Sequence, residues 1–85
     1  SRDELEEFGR SVNYQVELGA NDLKAIKQVF HGLVQELKIK AYDGAVNRDV
    51  RREYEQMYLE LKDQRAPENL EKIISLLRRT ASVNY

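Results

Sequence analysis

The 85-residue chain contains no cysteine and no tryptophan, one proline, one histidine, one methionine and four glycines. Without cysteine there are no disulfides, thiolate metal ligands or cysteine nucleophiles, and the composition fits the cytoplasm or another reducing intracellular compartment. No apolar run approaches the ~20 residues of a membrane span, and no signal-peptide core is visible. There is no glycine-rich phosphate loop and no HExxH spacing. His31 has no second histidine with which to form a relay, and it stands four residues after Lys27 and seven before Lys38. A lone histidine among lysines reads as a solvated side chain rather than a base. Three or four clustered ligands are needed for zinc, and only carboxylates are available to join it. The expectation is a protein without catalytic residues, metal or cofactor. The chain opens on Ser1 and its one methionine is Met57. That is expected of a chain whose initiator was removed, or of a domain from a longer protein.

Charge of one sign is also lacking. Charged residues make up 34% of the chain, yet the net charge is -1. No global field draws such a chain to DNA or anionic lipid, so any such binding depends on local segregation of charge. At this length one domain with one thin core is expected, since a small domain buries roughly 60% of its unfolded surface.

With so little proline and glycine, the punctuation is sparse and the apolar spacing is helical. Leu23, Ile26, Phe30, Leu33, Val34, Leu37 and Ala41 follow a 3.6-residue period, and so do Val46, Val50, Tyr54, Met57, Tyr58 and Leu61. Leu70, Ile73, Ile74, Leu77 and Ala81 supply a further stripe. Asn21 and Asn47 are expected N-caps, Gly44 a left-handed C-cap, and Pro67 a first-turn residue. Exposed i,i+4 pairs are expected between Arg51 and Glu55, Glu36 and Lys40, and Glu68 and Lys72.

The opening segment reads two ways. In "SVNYQVELG", residues 11–19, Val12, Tyr14, Val16 and Leu18 alternate with polar residues as in a strand, and "SVNY" returns as Ser82–Tyr85. Two such segments could pair as a ribbon. Against this, Leu5, Phe8, Val12 and Val16 share one helix face, and Asp3, Glu4, Glu6 and Glu7 suit a helix N-terminus. The helix reading is preferred, with the ribbon as its alternative. The expected fold is therefore all-α: a small three- or four-helix bundle with antiparallel neighbours and short loops, the helices running over about 3–17, 22–41, 47–65 and 67–81.

The surface carries the functional expectation. On a wheel of the third helix, Arg48, Arg51, Arg52, Glu55, Leu59 and Lys62 lie opposite the core stripe, with Tyr58 on its border. Interfaces favour tyrosine and arginine around an apolar centre. A protein partner docking on this face is the first reading. Nucleic acid is the second, with Lys24, Lys27, His31 and Lys38 of the second helix and the arginines of the third contacting phosphates; a pI of 5.8 argues against it. Tyr14, Leu18, Ile39, Leu59 and Leu76 fall off the core stripes, which leaves a homodimer as a third expectation.

Overall fold

The computed structural model describes residues 2–82, which form four helices: α1 (Arg2–Gly19), α2 (Leu23–Ala41), α3 (Arg48–Leu61) and α4 (Leu70–Ala81). The described residues contain no strand. α2 packs chiefly on α3 and α1 chiefly on α4, while α1–α2 and α2–α4 contacts close the bundle.

The opening segment is helix. Leu5, Phe8, Val12 and Val16 are buried on one side of α1, and Tyr14 and Leu18 project outward. The strand-like alternation arises because Tyr14 and Leu18 are surface residues that happen to interleave with core ones. Of the second "SVNY", Ser82 closes α4 by donating its N–H to the Arg79 carbonyl. Residues 83–85 lie outside the described residues.

Several boundaries differ from the sequence expectation. The N-cap of α2 is Asp22, not Asn21: Asp22 Oδ1 accepts from the N–H groups of Lys24 at 3.0 Å and Ala25 at 3.4 Å. A carboxylate at that place also meets the positive pole of the helix. Asn47 caps α3 as expected, accepting from the Asp49 N–H at 2.9 Å. Gly44 is not in a left-handed conformation; no described glycine has a positive φ. The turn is made instead by Asp43, whose side chain accepts from the Ala45 N–H at 2.9 Å.

α3 ends at Leu61 rather than 65, and α4 begins at Leu70 rather than 67. α3 closes with the Lys62 N–H on the Tyr58 carbonyl and a tighter turn from the Gln64 N–H to the Leu61 carbonyl. Pro67 keeps Ala66 out of helix, and α4 starts where Asn69 caps it. Ala66 is buried in the connector. Gln64 Nε2 donates to the free Glu60 carbonyl at 2.6 Å, and Asn69 caps α4 by accepting from the Lys72 N–H at 3.0 Å.

The core runs the length of the bundle. Tyr54 is wholly buried in the core that includes Phe8 and Met57. Its ring meets Phe8 edge to face at 5.3 Å, and Lys40 Nζ lies 5.4 Å from its centroid. Leu76, expected off the stripe, is only 8% exposed. α4 packs against both α1 and α2, so its buried arc is wider than one stripe and takes in Leu76 and Thr80. Thr80 Oγ1 satisfies itself on the Leu76 carbonyl at 2.9 Å. A close approach supports the α1–α4 crossing. A Cβ at Gly9 would stand 2.5 Å from the Ala81 carbonyl oxygen, so only glycine fits there.

Candidate functional site

The surface residues of α3 divide into strips fixed by the helical period. Val50, Tyr54, Met57 and Leu61 point inward. Directly opposite stand Arg48, Arg52, Glu55 and Leu59, all exposed. Arg51, Tyr58 and Lys62 are turned toward α2, and the first two are half-buried. Asp49, Glu53 and Glu60 occupy the other flank. The seven residues expected to share one face therefore form an outward strip and a flank that meets a neighbouring helix.

That flank borders a groove between α2 and the end of α3, lined by Phe30, His31, Val34, Lys62, Arg65 and Ala66. Lys38 continues the His31 edge two turns on, and Tyr42 follows one turn later. The Tyr42 ring meets Tyr58 edge to face at 6.4 Å while remaining 66% exposed. Arg51 Nη1 donates to the Asp43 carbonyl at 3.5 Å, which holds the α2–α3 connection against α3. Of the cations on these two helices, Lys62 lines the groove beside His31, with Arg65 of the connector; the Tyr42–Tyr58 pair lies elsewhere along the α2–α3 contact.

Not every predicted cation is at liberty there. Lys27 Nζ lies 2.6 Å from Glu68 Oε2. The hydrogen bond and charge of Lys27, with Arg65 adding to them, hold the Glu68 carboxyl below the usual carboxylate range. Glu68, which lies before α4, therefore pairs across to α2 rather than with Lys72. Lys24, His31 and Lys38 are exposed, and the His31 ring meets Phe30 edge to face at 5.6 Å.

Tyr42 and Arg65 were not among the predicted site residues, although Tyr42 is legible as an exposed loop tyrosine. Arg65 joins the groove because α3 stops at Leu61 and leaves it in the connector, a boundary hard to read from periodicity. Leu59, at 50% exposure, has no use in the core. Among the described residues no group of three or more His, Cys, Asp or Glu side chains is placed to hold a metal ion. No helix among them is long and apolar enough to cross a membrane. Comparison with protein-family models, with curated proteins and with solved structures finds no match for this chain.

Proposed function

We propose that this chain is a non-enzymatic interaction module that docks a protein partner on the outer face of α3 and the edge of the α2–α3 groove. The observation that carries the reading is Leu59, a half-exposed leucine one turn from Glu55 at the end of an outward strip that also carries Arg52 and Arg48. A leucine so placed contributes little to the core, and arginines around an apolar centre are what a docking surface favours. In this reading Leu59 and Tyr58 enter an apolar site on the partner, and Arg48, Arg51, Arg52 and Lys62 set register against its acids. The lack of cysteine fits a partner met in a reducing compartment.

A photo-crosslinking side chain at position 59, introduced in the cells the protein comes from, tests this. A discrete adduct is expected at position 59, lost when Arg52→Glu is added and missing when the same probe replaces Arg78 on α4. Leu59→Asp should remove partner binding at unchanged melting temperature. If Leu59→Asp unfolds the domain, Leu59 belongs to the core and the reading fails.

Nucleic acid has one observation in its favour: Tyr42, 66% exposed, meets Tyr58 on the α2–α3 side, where exposed Lys38 and Lys62 also lie, and bases stack on such rings. Binding of this kind falls steeply as salt is raised, whereas docking on an apolar anchor does not. Anisotropy titrations with a labelled single strand and a duplex at two salt concentrations separate the two readings.

A further inference from the structure

Acids outnumber cations in this chain, 15 to 14. The groove between α2 and the end of α3 departs from that balance. Lys62, Arg65 and His31 line it, and no carboxylate does. Asp63, between the two cations in sequence, is exposed outside the lining. The rest of the wall is largely apolar: Phe30, Leu61 and Ala66 belong to the core, and Val34 packs against it.

The fold makes no use of the two cations. The carbonyls at the end of α3 are already taken. The Lys62 N–H donates to the Tyr58 carbonyl at 2.8 Å, the Gln64 N–H to that of Leu61 at 3.0 Å, and Gln64 Nε2 to that of Glu60 at 2.6 Å. The Lys62 ammonium therefore has no cap to make. Among the described residues it forms no ion pair, and neither does the Arg65 guanidinium. Arg65 acts on Glu68 through its charge alone, while Lys27 holds that carboxylate at 2.6 Å.

Size narrows the occupant. The groove offers about 310 Å³, the low end for ligand sites. Along α2 it runs from Phe30 to Gln35, roughly 7.5 Å at 1.5 Å per residue. An extended peptide covers that length in about two residues. The Lys27–Glu68 pair ties the connector to α2 one turn before His31, which bounds that end. Such a space fits one ring or a short chain better than a peptide segment.

We infer that this groove binds a small organic acid, a monocarboxylate with an apolar body of one ring or a medium chain. The carboxylate meets Lys62 and Arg65, whose guanidinium fork can donate to both of its oxygens. The body lies on Phe30 and Val34 beside the His31 ring. The cations select the charge, and the apolar wall separates this ligand from acetate or phosphate. Only Lys62 is shared with the docking face, so the inference does not rest on that reading.

Octanoate is the probe, and the ring protons of His31 are the reporter, since the chain has no other histidine. Proton NMR titration at constant pH should show saturable shifts at His31, Phe30 and the Val34 methyls. A Kd on the order of 1 mM is expected for a ligand of about ten heavy atoms. Octanol keeps the chain and acetate keeps the charge; each should bind about tenfold more weakly or less. Lys62→Gln and Arg65→Gln should each weaken octanoate about three- to tenfold, and together abolish its binding. Both side chains are exposed, so circular dichroism and melting should not change. Lys72→Gln on α4 should bind octanoate as the unsubstituted chain does. So should Leu59→Asp, which reads failure of this site apart from failure of docking on α3. No saturable shift at about ten times the expected Kd, octanol or acetate matching octanoate, or binding that survives the double substitution overturns the inference.

Discussion

Tyr54 donates its phenolic hydrogen to Glu4 Oε2 at 2.9 Å, across 50 positions of sequence. The bond joins the first turn of α1 to the middle of α3. Few other contacts link these two helices, which lie close at fewer points than α1 with α4 or α2 with α3. The ring is wholly buried, so its hydroxyl must reach a partner, and Glu4 at the half-buried edge supplies one. Tyr54→Phe keeps the ring against Phe8 and removes only the bond. Chemical denaturation should show a loss of about 1 kcal/mol, in the range of 0.5–1.5 for a hydrogen bond. In a domain of this size that lowers the melting temperature by roughly 4–8 °C. An unchanged stability would mean that water replaces the bond.

Helix caps give a second test. Asp22 accepts two backbone N–H groups at the start of α2, while Asn21 is exposed and outside the helix. Asp22→Ala should destabilise by about 1 kcal/mol. Asn21→Ala should change stability by less than about 0.5 kcal/mol, as for an ordinary surface position. The reverse order of effects would restore Asn21 as the cap.

The two caps illustrate what the sequence makes legible. Four apolar stripes with a 3.6-residue period are a signal summed over many residues, and they fix the number and type of elements. A boundary depends on one or two residues and on competition between them. Asn21 and Asp22 are adjacent, both good caps, and only the backbone geometry chooses Asp22. Pro67 signals a helix start, yet it is Asn69 that caps α4, two residues later. Leu76 escaped because a single-stripe wheel assumes one neighbour, whereas α4 has two. The charged surface of α3 was legible as residues. Its division into an outward strip and a groove edge follows from where α2 lies.

The Lys27–Glu68 pair predicts a pH effect. The folded-state pKa of Glu68 is lowered, first by the hydrogen bond from Lys27 and then by its charge. A depressed carboxyl stabilises the fold above its unfolded pKa, about 4.3, and loses that contribution as the pH falls through the folded value. Glu68→Gln should therefore flatten the acid side of a melting-temperature profile and leave the alkaline side parallel to that of the unsubstituted chain. The carboxylate is exposed, so raised salt should shrink the difference between the two proteins. A profile of unchanged shape would show that the pair does not persist in solution.

Two glycines in helices should respond oppositely to the same substitution. At Gly9 a methyl group collides with the Ala81 carbonyl at 2.5 Å, and backbone must move. Overpacking of about 1–3 kcal/mol offsets or exceeds the roughly 1 kcal/mol gained from helix propensity. Gly9→Ala is expected to be destabilising on balance, with α1 shifted from α4. At Gly32 a Cβ would meet nothing within 4 Å, so only the propensity gain remains, and Gly32→Ala should stabilise the domain by about 1 kcal/mol. Urea titrations at low protein concentration measure both. Equal effects at the two positions would mean that the α1–α4 crossing is looser than the 2.5 Å approach implies.

Leu59 and Leu76 separate surface from core in one experiment. Both fall off a simple stripe, yet Leu76 is 8% exposed and Leu59 is 50% exposed. Truncating a buried leucine loses its transfer free energy and leaves a cavity, so Leu76→Ala should destabilise by about 2–5 kcal/mol. The lower end is expected, because Leu76 lies near the surface where neighbours and water can fill the space. Leu59→Ala removes a side chain that already meets solvent on one side, and its effect should be below about 1 kcal/mol. Urea unfolding of the two variants beside the unsubstituted chain gives the comparison directly. If Leu59→Ala matches Leu76→Ala, α3 is rotated from the orientation described and its outer face is part of the core. If Leu59→Ala is mild, loss of partner binding in Leu59→Asp reports on docking and not on folding.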